Sequence, residues 1–96
     1  MIKVVAESLI REDCLEQFLE ASKTLVEKTV ALDEGCISYA LYQDAANPLH
    51  TAMIEEWESQ EALDKHMKSA HLLGFIPKMG ECREGPPVMA LYNKLF

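Results

Sequence analysis

Residues 2–10 (IKVVAESLI) alternate imperfectly and are rich in Val and Ile, which predicts a strand with apolar residues on both faces. From Leu15 the period changes. Leu15, Phe18, Leu19, Ser22, Leu25, Val26, Thr29 and Val30 recur at i, i+3, i+4, i+7, so a long amphipathic helix is predicted to about residue 32. Asp13 followed by Glu16 has the spacing of a capping box at its start, and Asp33, Glu34 and Gly35 stop it, with Gly supplying a left-handed exit. A strand at 36–44, a turn around Asn47 and Pro48, and a strand from about His50 to Trp57 make a β-hairpin. Ser59 ahead of Gln60 and Glu61 caps a short helix with Leu63 and Met67 on its apolar side. Ser69 caps a further segment through Leu72, Phe75, Ile76 and Met79. Gly85-Pro86-Pro87 forbids helix, and residues 88–96 (VMALYNKLF) read as a last strand.

The order β-α-β-β-α-β predicts an α+β, ferredoxin-like fold: a four-stranded antiparallel sheet with two helices on one face. Ile37, Tyr39 and Leu41 should point one way and Cys36, Ala40 and Tyr42 the other, while Met89 and Leu91 oppose Val88, Ala90 and Tyr92. Both faces of the sheet are thus apolar. Helices cover only one, so the open face is expected to pack on a second copy as a two-fold homodimer.

With 96 residues the chain has room for one domain, residues 1–96, with a thin core margin that a second subunit would relieve. Hydrophobic residues make up 49 % and charged residues 26 %, an ordinary foldable composition. Nine Lys and Arg against 16 Asp and Glu give a net charge of −7 with no basic stripe, so no nucleic acid and no anionic membrane partner is expected. No apolar run approaches a membrane span and no signal-like segment opens the chain, which predicts a cytoplasmic protein. Cys14, Cys36 and Cys82 lack zinc or disulfide spacing and read as reduced thiols. No G-x-G-x-x-G is present, so no flavin or nicotinamide cofactor is expected.

The residues become specific at EGCISYALYQD (34–44), EEWESQEALDKH (55–66) and SAH (69–71). Through G-C-x-x-Y and W-E-S-x-E-A-L-x-x-H-x-x-S-x-H the chain resembles the antibiotic biosynthesis monooxygenase family, in particular its small quinol-monooxygenase-like members, over essentially its whole length. The resemblance implies a dimeric α/β barrel whose sheets pack face to face. It further implies cofactor-independent oxygenation of an electron-rich aromatic, a dihydroquinone or an anthrone-like polyketide, with O₂ as co-substrate. An isomerase of a small phosphorylated hydroxyketone and a non-catalytic ligand-binding dimer are the alternatives. A haem-degrading branch is disfavoured, because this chain reads Ala6-Glu7-Ser8 where that branch carries an Asn, and His66 where it carries a Trp.

His66 and His71 are the candidate catalytic bases, since imidazole titrates near neutrality and can take a phenolic proton. Their i, i+5 spacing misses that of two metal ligands on one helix face, and no third ligand is evident, so no metal is expected. Tyr39 is a third catalytic candidate, as a hydroxyl donor to a developing anion. Trp57, Tyr42, Met53 and Phe75 are candidate substrate-binding residues, with the pleat allowing only one of Tyr39 and Tyr42 to face a cavity. Glu55 and Glu56, adjacent on a strand, point to opposite faces and are no acid/base pair; at most one sees a cavity.

Overall fold

The computed structural model describes residues 1–96. Strands β1 (Ile2–Leu9), β2 (Cys36–Gln43), β3 (His50–Trp57) and β4 (Val88–Asn93) form one antiparallel sheet in the order β2-β3-β1-β4. Helix α1 (Leu15–Leu32) joins β1 to β2, and α2 (Gln60–Met67) with α3 (Ala70–Gly80) joins β3 to β4. This is the ferredoxin-like arrangement expected, with the second helical connection split in two. The split follows from two caps: the Ser59 hydroxyl accepts from the Ala62 N–H at 3.1 Å, and the Ser69 hydroxyl from the Leu72 N–H at 3.3 Å. No helix is long and apolar enough to cross a membrane.

Three local expectations need correction. The Asp13–Glu16 capping box does not form, because Arg11 takes the Asp13 carboxylate at 2.7 Å and a 3-10 turn, Glu12–Cys14, leads into α1 without a side-chain cap. In β2 a register shift between Cys36 and Ser38 sets Cys36 opposite Trp57 and Tyr39 opposite Glu55. Cys36 therefore packs on the core beside Tyr39, and Ile37 is left half-exposed as the extra residue. The last strand stops at Asn93, with Leu95 and Phe96 exposed beyond it.

Strand β3 carries the core. Thr51, Met53, Glu55 and Trp57 are all buried on the helix-covered face, a strict period of two. Helix α1 answers with Phe18, Ser22, Leu25 and Thr29, one helical stripe. One apolar cluster joins Val4, Leu25, Tyr39, Met53, Trp57 and Leu63; a smaller one joins Ile10, Phe18, Met79 and Cys82. Leu41 and Phe75 touch both.

Gly35 sets how closely α2 can approach. Its φ of 79° is the left-handed exit from α1, and a Cβ there would lie 2.6 Å from the Ala62 Cβ. Its carbonyl accepts the Glu58 N–H at 2.9 Å. Pressed against this bare backbone, α2 brings its last turn, with His66, to the end of α1, where Asp33 sits.

The other face of the sheet carries no helix. By register Val5, Ala40, Tyr42, Ile54, Ala90 and Tyr92 share it, and Tyr42 and Tyr92 are each 56 % exposed.

Candidate functional site

A cavity of about 190 Å³ lies between the helix-covered face of the sheet and the helices. Eleven of its 17 lining residues are hydrophobic, so the few polar groups inside act in a low-dielectric setting. Those polar groups come from several elements: Ser8 from β1, Tyr39 from β2, Thr51 and Glu55 from β3, His66 from α2, and Arg83 from the segment before β4.

His66 is 2 % exposed, and its Nδ1 lies 2.6 Å from Asp33 Oδ2. Desolvation by burial pulls the imidazole below its ordinary pKa, and the hydrogen bond and charge of Asp33 only partly offset this. His66 is therefore neutral near pH 7. A carboxylate only accepts, so Nδ1 carries the single proton and Nε2 keeps its lone pair. Nε2 makes no hydrogen bond, while the ring lines the cavity. The ring packs at 4.7 Å on Trp57 and edge-on at 5.1 Å on Tyr39, which fixes its orientation.

His71 takes a different place. Its Nε2 meets the same Asp33 oxygen at 3.0 Å, but its ring borders a separate groove between α1 and α3. It does not line the cavity and is linked to it only through Asp33 and His66, whose ring lies 6.0 Å from its own. The ligand-type atoms of Asp33, His66 and His71 lie within 4.8 Å of one another, so the third residue that sequence spacing left unseen is Asp33, 33 positions before His66. A cation could be offered these three atoms only by displacing the two N–H bonds that now satisfy the carboxylate.

Glu55 is a second residue that the sequence did not single out. It is 5 % exposed, faces the cavity, and accepts the Trp57 Nε1–H at 2.9 Å. Burial pushes its carboxyl up to about 7, with the Trp57 bond working the other way. Burial, followed by the charge of Glu55, also raises the Tyr39 phenol, which keeps it a donor. The signal for Glu55 was present in the alternation Thr51, Met53, Glu55, Trp57. Alternation does not say which face the helices cover, because Glu56 shares the other with the equally apolar Ala52 and Ile54.

Of the other candidates, Met53 and Phe75 line the cavity, and Trp57 lies behind it as the fully buried support of His66 and Glu55. Tyr42 does not join them. It stands on the uncovered face, as expected if Tyr39 takes the cavity. Arg83 was unseen because its segment reads only as loop. It lines the cavity, donates from Nε to the Ser8 hydroxyl at 3.2 Å, and forms no ion pair.

The ferredoxin-like sheet and its helices thus border a mostly apolar cavity whose lining includes a buried imidazole and a buried carboxyl. The chain belongs to the antibiotic biosynthesis monooxygenase family, matching it over residues 1–78. It is 29 % identical to the Bacillus subtilis protein named "Putative monooxygenase YcnE" over 90 % of both chains. It is 28 % identical to sll1783 of Synechocystis over 96 % of this chain, spanning 62 % of that relative's length. The crystal structure of a conserved Methanosarcina mazei protein superposes with a TM-score of 0.94 at 34 % identity, over 98 % of this chain and 92 % of that one.

The raised carboxyl makes stability depend on pH. In the unfolded chain Glu55 ionises near its ordinary 4.5, whereas in the folded chain it holds its proton to about 7. Its contribution is complete below the lower value and is lost as pH rises through the higher one, a fall of about 3 kcal/mol at most. Glu55→Gln keeps an acceptor for Trp57 and should remove this slope. Urea unfolding at about pH 5 and about pH 8 reads it, and an undiminished fall in the variant would show that Glu55 is not its source.

Proposed function

We propose that the protein is a cofactor-independent monooxygenase that uses O₂ to oxidise a small electron-rich hydroxyaromatic of the dihydroquinone type. The observation that carries this is the free Nε2 of His66, on a ring that lines a mostly apolar cavity while Asp33 holds Nδ1. His66 takes a phenolic proton at Nε2, and Asp33 stabilises the imidazolium that results. The phenolate gives one electron to O₂, and superoxide and aryloxyl radical combine at a ring carbon adjacent to the oxygen. The ring C–H proton is then lost as the O–O bond breaks. One oxygen stays on carbon and the other leaves as water, so that dihydroquinone and O₂ become hydroxyquinone and water. Protonated Glu55, which lines the same cavity, supplies a proton to the departing oxygen, and the Tyr39 hydroxyl steadies the anion. The substrate supplies every electron.

The cavity volume favours one or two rings over an anthrone-like polyketide, since pockets for drug-sized ligands run to about 300–1,000 Å³. The isomerase alternative is weaker, because a small phosphorylated hydroxyketone matches neither the mostly hydrophobic walls nor the single cavity cation, Arg83.

The reading includes a homodimer through the uncovered sheet face, since its apolar centre of Val5, Ala40, Ile54 and Ala90, flanked by the exposed Tyr42 and Tyr92, is more than a monomer usually leaves open. Ile54→Asp at its centre should give a one-chain mass by light scattering where the parent gives two; a parent of one-chain mass refutes the dimer. For the chemistry, oxygen uptake with reduced naphthoquinones should fall about a hundredfold in His66→Ala and much less in His71→Ala. Uptake in His66→Ala equal to the parent would refute His66 as the base. Parent uptake no faster than autoxidation across the panel would refute the oxygenase.

A further inference from the structure

The cavity has two polar ends. Thr51 pairs with Ser8 in the sheet, and Glu55, four residues further along β3, pairs with Val4. At 3.2–3.4 Å per strand residue, these ends are about 13 Å apart along the sheet. His66, Glu55 and Tyr39 occupy one end, because Tyr39 pairs with Glu55 and His66 stacks on Trp57. Arg83 occupies the other, tied to Ser8 through Nε. Between them the lining includes Ala6, Leu41, Met53, Phe75 and Met89.

Arg83 is in an unusual position for a cation in a chain of net charge −7. It lines a mostly apolar cavity, is partly buried, and meets no carboxylate within ion-pair distance, its only side-chain partner being a neutral hydroxyl. Burying part of a charge without a counter-ion is unfavourable, and an anion entering the cavity would relieve it. Its guanidinium has donors beyond Nε, in a planar fork that matches a carboxylate. A phosphate dianion would call for more than this one cation.

We propose that Arg83 anchors the anionic end of the ligand, so that the protein selects an elongated hydroxyaryl carboxylate with its hydroxyl at His66 and Glu55 and its carboxylate at the opposite end. The proposal deepens the oxygenase reading and rests on it for the orientation of the hydroxyl. The anchor itself is a matter of binding and can be measured without turnover.

The test is calorimetric titration in the absence of oxygen with 6-hydroxy-2-naphthoate and with 2-naphthol, which share the ring system and hydroxyl and differ by the carboxylate. The parent should bind the naphthoate about tenfold or more tightly than the naphthol. That ratio should fall to about one in Arg83→Gln and recover in part in Arg83→Lys, which keeps the charge but not the fork. If the glutamine variant does not fold, the parent decides: its preference for the naphthoate must shrink as salt is raised. A parent that binds both ligands equally, a preference that survives in Arg83→Gln, or a salt-independent preference overturns the proposal. The naphthoate preference together with no oxygen uptake would refute the oxygenase and leave the anchor in place. Oxygen uptake without the preference would do the reverse.

Discussion

The pleat of β3 is the constraint from which the site follows. Side chains two apart on a strand share a face, so burying Met53 and Trp57 under the helices obliges Thr51 and Glu55 to go with them. A carboxyl is thereby carried into a mostly apolar cavity, and its nearest help is the indole N–H two residues on. One hydrogen bond does not repay the loss of hydration, so the proton stays on to an unusually high pH. The same Trp57 gives His66 its stacking surface. Aromatic support for His66 and anchorage for Glu55 are thus one side chain, fully buried, of a size whose removal typically costs about 3–5 kcal/mol.

The second element is the junction at 33–36. Asp33 ends α1 with its backbone, N–H to the Thr29 carbonyl at 3.1 Å, and holds His66 and His71 with its side chain. Gly35 then turns the chain and leaves the space into which α2 fits. Burial works in opposite directions on the two groups that result, lowering His66 and raising Glu55. Near neutrality the imidazole can accept a proton and a large share of the carboxyl can give one, the pairing on which the proposed proton transfers rely. Membership of the antibiotic biosynthesis monooxygenase family accords with such a site, and the fold alone would not have defined it.

Much of this was legible in the sequence because it is local. The two serine caps, the glycine exit, the hairpin and the period change at Leu15 are short-range signals, and they placed every strand and helix within a few residues. His66, Tyr39, Met53 and Phe75 were legible as candidates and meet at one cavity. What was lost depended on distance or on parity. Asp33 reads as a helix stop, and only the closing of α2 onto Gly35 reveals it as the partner of two histidines. Glu55 and Glu56 are indistinguishable until the register fixes which one faces inward. One extra residue in β2 was enough to put Cys36 on the other face from the one that alternation suggests. Arg83, alone in a turn-rich segment, had no pattern around it at all.

The proposed proton transfers depend most on the paired and opposite behaviour of His66 and Glu55, and an NMR pH titration that follows the His66 ring and the Glu55 side-chain carboxyl carbon in the same samples measures both. The expected result is a Glu55 midpoint near 7 together with a His66 that stays neutral below its ordinary 6.5, still protonated at Nδ1 and bare at Nε2. A Glu55 midpoint near 4.5, or a His66 already charged at neutral pH, would contradict it, because the cavity would then hold neither a retained proton nor a free base.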